Sequence, residues 1–248
     1  MDWIYTPDQI ANAPSVKAGM SLEAEAKNRR DGVNIIWDVG FNLNLKPYPT
    51  LATAALYFHR FYMCHKFQEF QRELTSLGCL FLAGKVEETP KKCKDICKSA
   101  LEKYPMLYKN RHRVLLEEIM GIERVLLQTL KFDLQVFLPY KYVPTFLKKL
   151  NLSDHDGKGI GRRAWTLIND SMRTTISISF DPQVVAVCML FLAAKIGGEK
   201  KEEDQVVWWD DIIANLSVDL VNQICHKVLD FYDISKKEVG IPIEASNL

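Results

Sequence analysis

The chain has 248 residues, 48% apolar and 25% charged, with only 12 glycines and 10 prolines. Such a composition belongs to a globular protein of one large or two small domains and excludes collagenous, low-complexity and wholly disordered chains. Basic and acidic residues number 32 and 31, a net charge of +1, so the global balance gives no attraction to a polyanion or an anionic membrane.

The longest apolar run, Val184 to Ala194, is 11 residues, well short of the roughly 20 that a membrane-spanning helix needs. Met1-Asp2-Trp3-Ile4 lacks the basic start and apolar stretch of a signal peptide, so a reducing compartment is expected. There the six cysteines are thiols rather than a disulfide framework. Cys79 and Cys188 lie inside apolar helical stretches, where a thiol behaves as a small hydrophobe. Cys93 and Cys97 share a helix face at i, i+4 but lack the second pair or the histidines of a zinc site. No metal or other cofactor is expected.

In chain order, Ser21 is placed to cap a helix running to about Phe41, with Glu23 and Glu25 where the amino-terminal dipole favours acids. Val33, Ile36, Trp37 and Gly40 trace its buried stripe. A second helix, Thr50 to about His65, carries aromatics on several sides and is expected to be buried. A third, Arg72 to Glu87, contains the core run Leu77 to Gly84. Thr89-Pro90 reads as an N-cap with proline at the first helical position, opening a fourth helix to about Leu101. In the fifth, Leu115, Ile119, Ile122, Leu126 and Leu130 keep one apolar face over four turns.

After Phe132-Asp133-Leu134 and Pro139 the pattern begins again, with helices expected near 140–150, 160–176, 182–195, 206–214 and 217–232. Asp181-Pro182 and Ser217 are start signals, and Asp154 to Gly157 and Gly197 to Lys201 are loops. Leu80-Phe81-Leu82-Ala83-Gly84-Lys85 returns 110 residues later as Leu190-Phe191-Leu192-Ala193-Ala194-Lys195. The economical reading is a duplicated, all-α fold of two five-helix sets. Small residues Ala83-Gly84 and Ala193-Ala194 are expected to let neighbouring helices cross closely.

Three stretches, Tyr57-Phe58-His59-Arg60-Phe61-Tyr62-Met63, LFLAGKVEETPKKCKDI (80–96) and LLQTLKFDLQV (126–136), resemble the cyclins, in particular their transcriptional branch. The likeness runs from about residue 20 to 235, and Trp208-Trp209 followed by Ile224-Cys225-His226 fits the same branch. The resemblance implies two tandem cyclin boxes: an N-terminal segment 1–20, a kinase-binding first box 21–135, a second box 136–235 and a tail 236–248. It implies a regulatory subunit, not an enzyme, that binds and activates a cyclin-dependent kinase of the transcriptional class, which phosphorylates the carboxy-terminal domain of RNA polymerase II. A nuclear location follows from the resemblance alone, as does a role for the second box in contacting further proteins.

The family's kinase face carries over onto Lys85 and Glu123 as mutual partners. Val86, Leu127, Phe132 and Leu134 match apolar contacts around them, and Glu87 and Glu88 continue past the helix end, where the dipole disfavours acids, so that they read either as acids facing a basic partner surface or as solvated side chains. Leu127 lies about 100° of turn from Leu126, so it fits either a second core face or an exposed anchor. His59 replaces an acidic residue of the cell-cycle cyclins and is expected to be a neutral, hydrogen-bonded core histidine. The first helix lacks their substrate-docking motif.

No phosphate-cradling glycine loop, G-x-S-x-G elbow or H-E-x-x-H suggests an enzyme. The competing reading is a DNA-binding general transcription factor of the TFIIB type, built on the same duplicated fold. The stretch Lys91 to Lys98 has a local charge of +3 and Arg111-His112-Arg113 adds to it; a phosphate-binding face commonly uses six or so contacts with a steep salt slope, and this local patch reads instead as a solvated face or a contact for an acidic protein segment. Specific nucleic-acid binding is not expected, nor is membrane binding.

Overall fold

Ser21 opens the long helix that follows it as the sequence requires, its Oγ accepting from the Ala24 amide at 3.2 Å. The structure, a computed structural model, describes residues 3–109, 113–149, 159–197, 209 and 212–239. Among these the chain is helical without strands, and it divides into two compact units: Met1–Leu138 with Ser177–Phe180, and Pro139–Ile176 with Asp181–Leu248.

The first unit contains α1 (Pro7–Ala11), α2 (Pro14–Lys17), α3 (Leu22–Asn42), α4 (Ala52–Phe61), α5 (Arg72–Val86), α6 (Cys93–Lys103), α7 (Pro105–Tyr108) and α8 (Leu115–Thr129). Helix α5 is its centre, packed against α3, α4 and α8. Gly78 lies tight against α8, where an added Cβ would lie 2.4 Å from Ile122 Cγ2. Gly84, expected to serve a close helix crossing, instead makes room for the returning chain, a Cβ there reaching 3.3 Å from the Thr89 carbonyl oxygen. The five apolar positions expected on the fifth helix, Leu115, Ile119, Ile122, Leu126 and Leu130, are all buried.

Thr89-Pro90 does not open the fourth helix. Helix α6 starts at Cys93, because Thr89 is used to close α5: its amide donates to the Gly84 carbonyl at 2.8 Å and its hydroxyl meets that of Thr50 at 2.8 Å. Under α4, the buried Arg29 guanidinium donates to Glu25 at 2.6 Å and to the carbonyls of His59 and Tyr62 at 3.0 and 3.3 Å. It also lies 3.3 Å from His59 Nδ1. A guanidinium has only donors, so Nδ1 accepts and the imidazole is the neutral, bonded core histidine expected.

The second unit holds α9 (Val143–Lys149), α10 (Ile160–Ser171), α12 (Pro182–Ile196) and α13 (Val218–Val239); of the short α11 (Ile176–Ser179), only Ile176 belongs to it. Helix α12 packs against α9, α10 and α13. The expected 160–176 helix therefore ends five residues early, at Ser171. In 206–214, the described residues Trp209 and 212–214 form turns rather than a helix, and the others lie outside the described residues. Trp209 is buried, its ring edge-on to Phe191 and its Nε1 donating to the Leu216 carbonyl at 2.9 Å. Trp208, Arg111-His112, the Asp154–Gly157 loop and residues 198–201 also lie outside the described residues. No described helix is long and apolar enough to cross a membrane.

Candidate functional site

Helix α5 ends in a Schellman-type cap: the Thr89 amide reaches the Gly84 carbonyl and the Glu88 amide the Lys85 carbonyl, with Glu88 at φ +55°. The tight stop leaves Lys85 in the last turn, where a cation suits the helix dipole. Its Nζ donates to Glu123 Oε1 on α8 at 2.6 Å and lies 4.0 Å from the centre of the Phe81 ring. The pair is asymmetric: the Glu123 side chain is 13% exposed and that of Lys85 47%. The carboxylate is largely withdrawn from water, while the ammonium retains donors on its open side.

Helix α8 closes with the same device, the Phe132 amide donating to the Leu127 carbonyl at 3.1 Å and the Lys131 amide to Gln128 at 3.1 Å. Here two consecutive non-glycine residues, Lys131 and Phe132, are left-handed, at φ +51° and +58°. Each such residue costs about 1 kcal/mol or more, and the result is a phenylalanine held 70% exposed. Strain that displays an apolar ring to solvent is a signature of a surface made for contact.

The other expected site residues fall around these two caps. Val86 and Leu134 are half-buried. The Leu134 carbonyl accepts from the Tyr57 hydroxyl at 2.6 Å, which pins the chain after α8 to α4. Glu87 accepts from the Thr53 hydroxyl at 2.7 Å, so it is anchored to α4 rather than merely solvated. Burial and then the nearby Glu87 charge push the Tyr57 phenol well above its ordinary range, keeping it a donor. Glu88 is exposed. Leu127 is half-buried on a second α8 stripe with Leu116, Met120 and Glu123, outside the core stripe.

Beside this face, burial raises the thiols of Cys93 and Cys97, the latter to about 12. The Cys93 thiol lies 3.8 Å from the Leu116 carbonyl. The arrangement offers a salt-bridged polar centre ringed by apolar and acidic side chains, suited to docking a protein surface.

Sequence reasoning passed over Phe81, Thr53 and Asp133 as parts of this face. Thr53 and Tyr57 lie i, i+4 on one helix, a spacing that was available as a signal; nothing local tells that they meet residues 34 and 77 positions away.

Residues 6–135 match the family described as Cyclin, N-terminal domain. Cyclin-K of Homo sapiens is 40% identical over 243 residues, covering 96% of this chain and 42% of the relative. Cyclin-T1 of Bos taurus is 30% identical over 240 residues, covering 93% and 32%. The chain thus spans less than half the length of these two curated relatives. A chain in the crystal structure of the yeast RNA Pol II CTD kinase CTDK-1 complex superposes with a TM-score of 0.75 at 18% identity, over 99% of this chain and 78% of that one. That likeness, at its low identity, bears on the fold.

Proposed function

The chain belongs to the cyclin family, and on that footing we propose that it is the regulatory subunit of a transcriptional cyclin-dependent kinase, acting in the nucleus on the carboxy-terminal repeats of RNA polymerase II. The observation that carries this reading is the Lys85–Glu123 pair at 2.6 Å, flanked by Val86, Leu127, Leu134 and the displayed Phe132. The names of its relatives, cyclin-K and cyclin-T1, and the yeast CTD kinase complex that contains its structural neighbour point to the same class of partner.

The chain contributes no chemistry of its own in this reading. A protein kinase is active when its strand lysine pairs with the glutamate of its αC helix. A rigid face complementary to the inward position of αC selects that state. Moving a kinase from mostly off to mostly on needs about 5.5 kcal/mol of differential binding. An apolar surface around a desolvated ion pair is of a kind to supply it, and scattered surface charges are not. The second box supports the first and offers surface to further proteins.

The test is co-purification of the chain from its native extract with identification of the bound kinase, followed by reconstitution. The expected result is phosphorylation of a polymerase repeat peptide that rises when kinase and chain are combined, with none from the chain alone. Recovery without a kinase, or tight binding to a defined DNA duplex at physiological salt, would favour the general-factor reading instead.

A further inference from the structure

The strained turn after α8 is held from outside at two points. Tyr57 holds the Leu134 carbonyl, and Trp3 holds its neighbour: the indole Nε1 donates to Asp133 Oδ2 at 3.0 Å, across 130 residues of chain. The same indole lies over the Arg60 guanidinium, 5.0 Å from carbon to ring centre. Arg60 is 7% exposed, and its Nε and Nη1 have no hydrogen-bond acceptor. The negative face of the indole and the nearby Asp133 charge are thus what compensate this buried cation. The indole links the two groups: its face lies over the Arg60 guanidinium and its N–H holds the Asp133 carboxylate.

Trp3 is itself delivered by a fixed segment. The Tyr5 amide donates to the Ile178 carbonyl at 2.8 Å, Thr6 and Gln9 form a capping box, and Ser15 Oγ accepts from the buried Phe67 amide at 2.9 Å. These bonds anchor the segment independently of the Trp3 side chain.

We propose that Trp3 is a positioning residue for the kinase face: by holding Asp133 it keeps Lys131 and Phe132 in their left-handed conformation and Phe132 and Leu134 in the places from which they contact the kinase. This rests on the kinase face proposed above. Without the latch the two left-handed residues gain by relaxing, and the turn samples shapes that do not fit the partner. Consistent with a working bond, the Trp3 N–H holds the Asp133 carboxyl below its ordinary 3.8.

The test measures the affinity of the full chain for the kinase recovered by the co-purification above, expressed recombinantly. Trp3→Phe keeps an aromatic face over Arg60 and removes only the N–H; Asp133→Asn retains an acceptor; Lys85→Glu reports on the face itself. Loss of one charge-assisted bond at the latch should weaken kinase binding by about tenfold in Trp3→Phe. Its melting temperature should stay within about 4 °C of the parent, and Asp133→Asn, which keeps an acceptor for the indole but loses the charge facing Arg60, should weaken binding by less than Trp3→Phe. By carboxyl NMR titration, Asp133 in Trp3→Phe should move up toward the ordinary carboxylate value. Kinase binding by Trp3→Phe and Trp3→Ala equal to the parent, with binding lost in Lys85→Glu, would overturn the latch and leave the kinase face intact. Parent-like binding by Lys85→Glu would overturn the face and the latch with it.

Discussion

Lys85 and Glu123 admit two roles, tying α5 to α8 or meeting a partner, and a charge swap separates them. With Lys85 47% exposed, the pair contributes about 0–1 kcal/mol to the isolated chain. In a desolvated interface the loss of one member costs about 2–5 kcal/mol. Lys85→Glu should therefore melt close to the parent yet lose kinase affinity by more than an order of magnitude. The double swap Lys85→Glu, Glu123→Lys should also melt close to the parent without regaining affinity; recovered affinity would reduce the pair to a structural tie. His65 is one residue through which stability depends on pH. Its Nε2 lies 2.7 Å from Thr129 Oγ1, which already donates to the Val125 carbonyl, so the imidazole donates, between the rings of Phe61 and Phe70. Burial lowers its pKa below the ordinary 6.5, against an opposing pull from Glu69. The folded state then binds fewer protons than the unfolded one, so this stability is present above pH 6.5 and is lost as pH falls through the lower, folded value. The melting temperature should fall from pH 7 to 5, and His65→Gln, which still donates to Thr129, should flatten that dependence.

At the scale of elements, the close crossing of α5 and α8 and the two strained caps have opposite signatures. Gly78→Ala drives a methyl into the stiff, branched Ile122 and should cost about 1–3 kcal/mol in urea denaturation. Gly121→Ala on α8 meets nothing within 4 Å and should stabilise by up to about 1 kcal/mol through helix propensity. Glu88 stands at the left-handed position that glycine usually fills. Glu88→Gly should thus raise stability by about 0.5–1 kcal/mol while lowering kinase affinity several-fold. A variant that gains stability and keeps affinity would remove Glu88 from the face.

The whole molecule repeats its core without repeating its surface. Leu80, Leu82 and Ala83 are buried in α5, as Leu190, Leu192 and Ala193 are in α12, and each echo ends in a lysine over the preceding phenylalanine, at 4.0 Å for Lys85 and 5.5 Å for Lys195. Only the first has an acidic partner among the described residues. Lys195→Glu should leave kinase affinity within a few-fold of the parent by titration calorimetry. A loss as large as that of Lys85→Glu would mean that both boxes grip the kinase.

The existence of most helices, the buried stripe of α8, the caps at Ser21, Asp181 and Ser217 and the core echo were legible in the sequence, because each depends on neighbours within a turn or two. The family motifs likewise named Lys85 and Glu123 before their side chains were seen to meet. What the tertiary structure decided were the encounters between distant residues. Thr89 closes one helix rather than opening the next because Gly84 and Thr50 are there to receive it. Gly78 rather than Gly84 lies tight against α8 because Ile122 is the residue that arrives. Trp3 lies over Arg60 and bonds Asp133, two residues that gave no local sign of needing it. Periodicity and capping are short-range properties of the chain, whereas the compensation of a buried cation or a strained turn depends on which remote group packing brings within a few ångströms.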